Sequence, residues 1–298
     1  MKEHLKSLFG ETAIYGLSSM ATKLISIFLI PLYTAVLTPS DYGVLNLVTA
    51  FFSLALVLSV FALDNSAARW YYDIDDTKDR KKTISSWFYF QLGFTICLGV
   101  IFLLFSSQIN DLLFDLESTE IFIIAICSFI AGVLPAITPN WYRMQRNAKA
   151  TVIYTLTFSL LTIGLTIYFV LYDKLGVYGI FLANFIANTI MSVVSLFILK
   201  DWLHFKYFEL ARLRELIKFA APLVPTVLAF WVLNSSASFV IEAYHGKNEL
   251  GLFQIGMSLA SGITLIVTAF RMAFPPFAYS IYKQPEAKEL FANILTIY

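Results

Sequence analysis

The chain has 298 residues, of which 58% are hydrophobic and 14% charged, with a net charge of +1 and a mean hydropathy of +0.73. A soluble domain has about 25% charged residues, so this composition excludes a single soluble core and predicts an all-α polytopic membrane protein. The near-neutral balance gives no basis for a nucleic-acid partner. Cys97 and Cys127 both fall inside apolar runs and read as small core residues, not as a disulfide or metal site.

The first apolar run is Thr12–Leu37. At 1.5 Å per residue it crosses a hydrocarbon core of about 30 Å with tilt to spare. It nonetheless holds Lys23 near its midpoint and Pro31 a little over two turns later. An ammonium near the bilayer centre costs about 3 kcal/mol or more, which marks Lys23 for attention. Lys2 and Lys6 precede the run as the basic start of a signal peptide would. The run is too long for one, however, and no small-x-small cleavage site follows, so it reads as a retained span.

Further runs predict spans over Val44–Leu63, Ile84–Ser106, Glu120–Pro139, Thr151–Tyr172, Leu175–Leu199, Phe219–Ile241 and Leu250–Arg271, eight with the first. The chain closes on LFANILTIY, the expected start of a ninth. The runs are continuous, not alternating, and exceed the roughly 10 residues of a barrel strand. Lys and Arg set the orientation. With the N-terminus inside, eighteen of the 21 fall on inner segments, two (Lys174 and Lys247) on outer ones, and Lys23 in a span. That is a strong positive-inside asymmetry. The expected outer loops Thr38–Gly43, Ser107–Thr119, Asp173–Lys174 and Ala243–Glu249 are short. The inner segment Asp201–Lys218 mixes bases and apolar residues at helical spacing, and its second half predicts an amphipathic helix on the cytoplasmic surface.

An internal repeat is expected. Asp41–Asn46 (DYGVLN) resembles Glu249–Gln254 (ELGLFQ) at an offset of 208, and the same offset sets Ala13 on Ala221. Six spans separate the copies, so the repeat is parallel. The organisation predicted is a six-span lobe over 1–199, a linker over 200–218, and a second lobe from 219 to 298 that stops after two spans and the start of a third. The chain therefore reads as one lacking about four spans of its second lobe.

The block LIPLYTAVLTPSDYGVLNLV carries a resemblance, together with Asp64 followed by Arg69-Trp70-Tyr71, KFAAPLVP at 218–225, ELGLF at 249–253 and AFPPF at 273–277. The sequence resembles the polysaccharide and O-antigen flippases of the multidrug/oligosaccharidyl-lipid/polysaccharide exporter superfamily. The resemblance implies a two-lobed bundle of twelve or more helices in the bacterial inner membrane. It also implies that the protein moves undecaprenyl-diphosphate-linked sugars to the outer leaflet by alternating access, beside polysaccharide polymerase machinery. Many relatives carry an acidic–basic pair in span seven; here Ser235–Phe239 has no charge.

On that reading Lys23 lowers the cost of bringing a diphosphate to the midplane, against the alternative of a lysine that snorkels or pairs structurally. Arg271 either lines the same cavity or anchors its span at the interface. Asp64 and Arg69 form either an inner gate pair or a loop ion pair. Pro31, Pro222 and Pro225 are either hinges or static kinks. Asn184, Asn188 and Asn234 line a sugar path or serve as helix–helix glue, as does Gln91. Asp73-Ile74-Asp75-Asp76 matches the metal-binding DxD of glycosyltransferases but sits in a short loop with no nucleotide-binding domain. No triad, CxxC or Walker pattern is found, so the expectation is a non-enzymatic flippase without metal or cofactor. The alternatives are a drug/cation antiporter, which would want a deep acidic residue, and a membrane sugar polymerase or ligase, which would want a large outer loop.

Overall fold

The computed structural model describes residues 33–114 and 119–281, with side chains over 33–112 and 119–260. The described residues up to Gly256 form one compact unit, and those from Met257 onward belong to a second. Among the described residues all regular structure is helical. Six described segments are long and apolar enough to cross a membrane: Pro39–Asp73, Thr77–Leu104, Glu120–Met144, Ala148–Tyr172, Gly176–Leu199 and Leu210–Ala260. The protein is an all-α multi-pass membrane protein, the architecture in which each span satisfies its own backbone. The expected first span lies outside the described residues except for 33–37, and Lys23 and Pro31 lie there with it.

Helix α1 (Pro39–Val60) begins earlier than the apolar run suggests. Thr38 and Asp41 form a capping box: Asp41 Oδ2 accepts the Thr38 N–H at 2.8 Å, and Thr38 Oγ1 accepts the Asp41 N–H at 3.2 Å. Pro39 at the first helical position loses nothing by lacking an N–H. The expected loop Thr38–Gly43 is therefore mostly helix. Left-handed Phe61 and Ala62 (φ 50° and 53°) end α1, and α2 (Leu63–Asp73) follows at once. Asp76 caps α3 (Thr77–Leu104) through the Asp79 N–H at 3.3 Å. The expected loop after α3 begins instead as a short helix, Ser106–Ile109, and a π-turn, Asn110–Phe114.

The next span is two helices, α4 (Glu120–Ala131) and α5 (Val133–Met144), broken at Gly132. Pro135 supplies the reason. It has no N–H to give the Ala131 carbonyl four residues back, so that acceptor is released inside the bundle. Ser192 Oγ takes it at 2.5 Å, satisfying the freed group from a neighbouring helix. Asn147 caps α6 (Ala148–Ile167), which ends in the π-turn Tyr168–Tyr172.

Helix α7 (Gly176–Leu199) is central, packing on α1, α4, α5 and α6. Its buried stripe Ala183, Ala187, Met191, Ser195 and Leu199 recurs every four residues, and its alanines admit close neighbours. Its other face exposes Val193, Leu196 and Phe197, as a lipid-facing surface does.

Helix α8 (Leu210–Ala220) is the expected amphipathic segment, but its apolar stripe does not face lipid. Leu213, Leu216 and Ala220 are buried, and the helix packs on α2 and α3. The seam is fixed by Ser66 Oγ donating to the Leu216 carbonyl (2.9 Å) and by Glu209 N–H donating to Ser86 Oγ (3.0 Å). The last helix, α9 (Val224–Ile281), breaks once, at Gly246. Its φ of +81° with ψ of 177° is a backbone state that essentially only glycine holds. The expected loop Ala243–Glu249 thus shrinks to a single residue.

Candidate functional site

A cavity of about 400 Å³ opens between α1, α4, α5, α6 and α7. Its size falls within the roughly 300–1,000 Å³ of small-molecule sites. Its walls are aromatic and aliphatic, with Phe52, Phe129, Phe158 and Phe181 the large contributors. Set into them is a small polar group: Thr49 and Ser53 from α1, Ser128 from α4, Asn184 and Asn188 from α7.

Asn184 and Asn188 are one turn apart and reach the cavity together, as their four-residue spacing requires. Their hydrogen bonds differ. Asn188 Nδ2 donates across to Ser128 Oγ (3.1 Å) and the Ser128 carbonyl (3.4 Å). Among the described residues, Asn184 Nδ2 donates only within its own helix, to the Ile180 carbonyl at 2.9 Å. Both Asn oxygens remain acceptors. The Gly132 break sits at the cavity wall. A Cβ there would stand 3.3 Å from the Ser128 carbonyl and 3.5 Å from Asn188 Oδ1. The missing side chain at Gly132 therefore leaves room at this polar corner.

Trp231 on α9 reaches α1 just behind the cavity. Its indole N–H donates to Ser53 Oγ (2.8 Å) and the Ala50 carbonyl (3.3 Å). Ser53 in turn donates to Ala50 O at 2.6 Å. Residues that sequence alone did not single out (Ser53, Ser128, Gly132, Pro135, Ser192 and Trp231) thus frame or brace this site. The available signal was Pro135 inside an apolar run with Gly132 three residues before it.

The other candidates lie apart from the cavity. Asn234 is exposed and donates to its own helix at Phe230 O, 2.7 Å. Arg271 lies in the described backbone of α9, and its side chain lies outside the described residues. Pro222 occupies a 3₁₀ turn between α8 and α9, and Pro225 the first turn of α9, positions where the missing N–H breaks no bond.

Arg69 pairs with Asp73, not Asp64. Its Nε lies 3.5 Å from Asp73 Oδ2 at four-residue spacing, whereas five residues put Asp64 well round the helix. Asp64 Oδ1 accepts from Asn65 Nδ2 at 3.2 Å. The Arg69 guanidinium also lies 4.5 Å over Phe219 and 5.6 Å over Trp70. The Arg69–Asp73 pair is about half exposed on both sides, so it is worth only about 0.5 kcal/mol. Asp73→Asn should lower the thermal midpoint in detergent by no more than a degree or two, by the usual scaling. An Asp64/Arg69 charge swap should rescue nothing that either single change loses. A rescue by the swap would restore the gate pairing.

The family described as "Polysaccharide biosynthesis protein" matches residues 34–298. An Lsg locus protein of Haemophilus influenzae is 22% identical over 284 residues, covering 93% of this chain and 67% of the relative. A membrane protein of the same organism, uncharacterised, is 20% identical over 287 residues, covering 95% and 68%. No solved structure matches significantly.

Proposed function

This chain belongs to the polysaccharide biosynthesis protein family, which places it in polysaccharide synthesis or export, and we propose that it is a flippase. Its cargo on this reading is a polyprenyl-diphosphate-linked oligosaccharide, carried from the inner to the outer leaflet of the bacterial inner membrane by alternating access. The observation that carries the reading is the cavity around Asn184 and Asn188. Amide and hydroxyl groups set in aromatic walls suit a ligand rich in hydroxyls with apolar ring faces. They are a poor match for a small hydrophobic cation, which would draw an acidic residue into the lining.

The same reading assigns eight full spans, an inside N-terminus and two lobes joined by the α8 segment. The support is the Lys/Arg asymmetry and the recurrence of the DYGVLN pattern at ELGLFQ. Lys23 and Arg271 are the cations proposed to meet the diphosphate, with the asparagines on the sugar. No bond is made or broken, so the protein is a carrier and not an enzyme. Polysaccharide polymerase machinery is the proposed downstream partner.

The test is reconstitution. The full chain, in liposomes loaded with a short fluorescent polyprenyl-diphosphate sugar, should expose that sugar to a membrane-impermeant quencher faster than protein-free liposomes do. A rate equal to the protein-free control would reject the flippase reading.

A further inference from the structure

The two segments that resemble each other at an offset of 208 touch each other. Gly43, in the second turn of α1, lies on the backbone of Lys247: a Cβ at Gly43 would overlap the Lys247 carbonyl oxygen and stand 2.9 Å from its carbon. Gly251 lies on the backbone of Pro39: a Cβ there would overlap the Pro39 carbonyl oxygen and stand 2.6 Å from its carbon. Gly251 is Gly43 displaced by 208 positions, and Lys247 is Pro39 displaced by the same 208. Each copy therefore gives the other the same two groups, a glycine and a carbonyl four residues before it. This is the reciprocal exchange of a two-fold interface, made within one chain.

The helical context matches as well. Pro39 opens α1 after the cap Thr38, and Lys247 opens the second limb of α9 after the break at Gly246, again 208 positions on. The packing is reciprocal too. Leu250 is buried in one cluster with Leu47 and Val48, and Ile255 packs on the cluster of Tyr42. Leu250 is the equivalent of Tyr42, and Ile255 of Leu47. Glycines at such a crossing let two backbones meet with Cα–H groups against carbonyls.

We propose that Gly43 and Gly251 are the paired positioning residues on which the outer end of the transport pathway closes, and that export requires the two helix starts to part there. The proposal rests on the flippase reading and its orientation, which puts both helix starts at the outer face. A two-fold contact suits a gate, because its two halves break together and reform in one register. Only glycine at both positions allows the backbone approach.

The experiment uses a cysteine-free background (Cys97→Ser, Cys127→Ser) with a reporter, Ser53→Cys, at the cavity wall, in intact cells. A membrane-impermeant maleimide reports opening to the outside, normalised to protein in the membrane. Gly43→Ala and Gly251→Ala should each raise labelling severalfold and to a similar degree, and the double variant should add little. Pro39→Ala keeps the carbonyl and should label as the parent does. Labelling at the parent rate in both glycine variants, or a rise only in inside-out vesicles, overturns the proposal.

A second arm does not depend on the alanine variants accumulating. Ser40→Cys with Asn248→Cys, bridged by a reducible bifunctional thiol reagent, should stop export and recover it on reduction. Unimpaired export in the bridged protein also overturns the proposal. The labelling arm reads opening whatever the cargo is, so it stands or falls separately from the sugar-transport test.

Discussion

Lys23→Ala should abolish glycan export while the protein inserts and accumulates as the parent does. The argument is the cost of the charge. An ammonium deep in a span is held at about 3 kcal/mol or more against the membrane, and a neutral residue would remove that cost. Its retention is explained if a diphosphate arrives to share the site. In a low-dielectric setting, removing one partner of a charged pair costs about 2–5 kcal/mol, or roughly 30- to 4,000-fold in the stability of the loaded state.

The proposed repeat adds support. The position 208 after Lys23 is Trp231, and there the structure shows a polar donor turned to Ser53 and Ala50 of α1. That register faces protein in the copy where it is described. Lys23→Arg should retain a measurable share of export, because a guanidinium meets a phosphate as well as an ammonium does. The measurements are surface polysaccharide in a deletion strain and membrane-protein level on the same cells. Full export by Lys23→Ala would remove this residue from the site. A parallel loss of protein and export would make it structural.

The spans were legible because their signal is large and cumulative: a run of twenty apolar residues needs no tertiary information. The breaks were not. Thr38–Gly43 looked like a loop because a polar cluster, Thr38 to Asp41, punctuates the hydropathy, yet those same residues cap a helix. Gly246 looked like the middle of a seven-residue turn because His245, Lys247 and Glu249 are polar, yet one positive φ makes the whole turn. The periodicity of Leu213, Leu216 and Ala220 announced an amphipathic helix but could not say whether lipid or protein would cover it.

The candidate site was half visible. Asn184 and Asn188 stand out as amides four apart in an apolar run. Their neighbours do not, because Ser128 and Ser53 are unremarkable in any span: Ser128 acquires meaning only beside the break at Gly132 and Pro135, and Ser53 only where Trp231 of α9 reaches it. Asp64 and Arg69 are near in sequence but not in space, because five residues at about 100° each set them about 140° apart round the helix.

Asn184→Ala and Asn188→Ala separate sugar path from helix glue, because the structure gives the two amides unequal structural duties. Asn188 ties α7 to Ser128 of α4 with two bonds, so its loss should destabilise the protein by about 0.6 kcal/mol and at most about 1.7, the mean and the maximum for interhelical bonds in membranes. Among the described residues, Asn184 bonds only the Ile180 carbonyl of its own helix, which already serves as a helical acceptor, so its removal should change stability by less than about 0.5 kcal/mol. Both line the cavity.

If the cavity carries sugar, Asn184→Ala should leave the detergent melting curve unchanged and cut proteoliposome transport about tenfold, the equivalent of one hydrogen bond of about 1.4 kcal/mol. Asn184→Leu, which keeps the branched outline in a bulkier side chain and removes the amide, should cut it at least as much. The opposite pattern rejects the path: Asn184→Ala transporting as the parent does, with Asn188→Ala losing transport only in proportion to its lost stability. In that case the asparagines are packing, and the cargo travels along another face of the bundle.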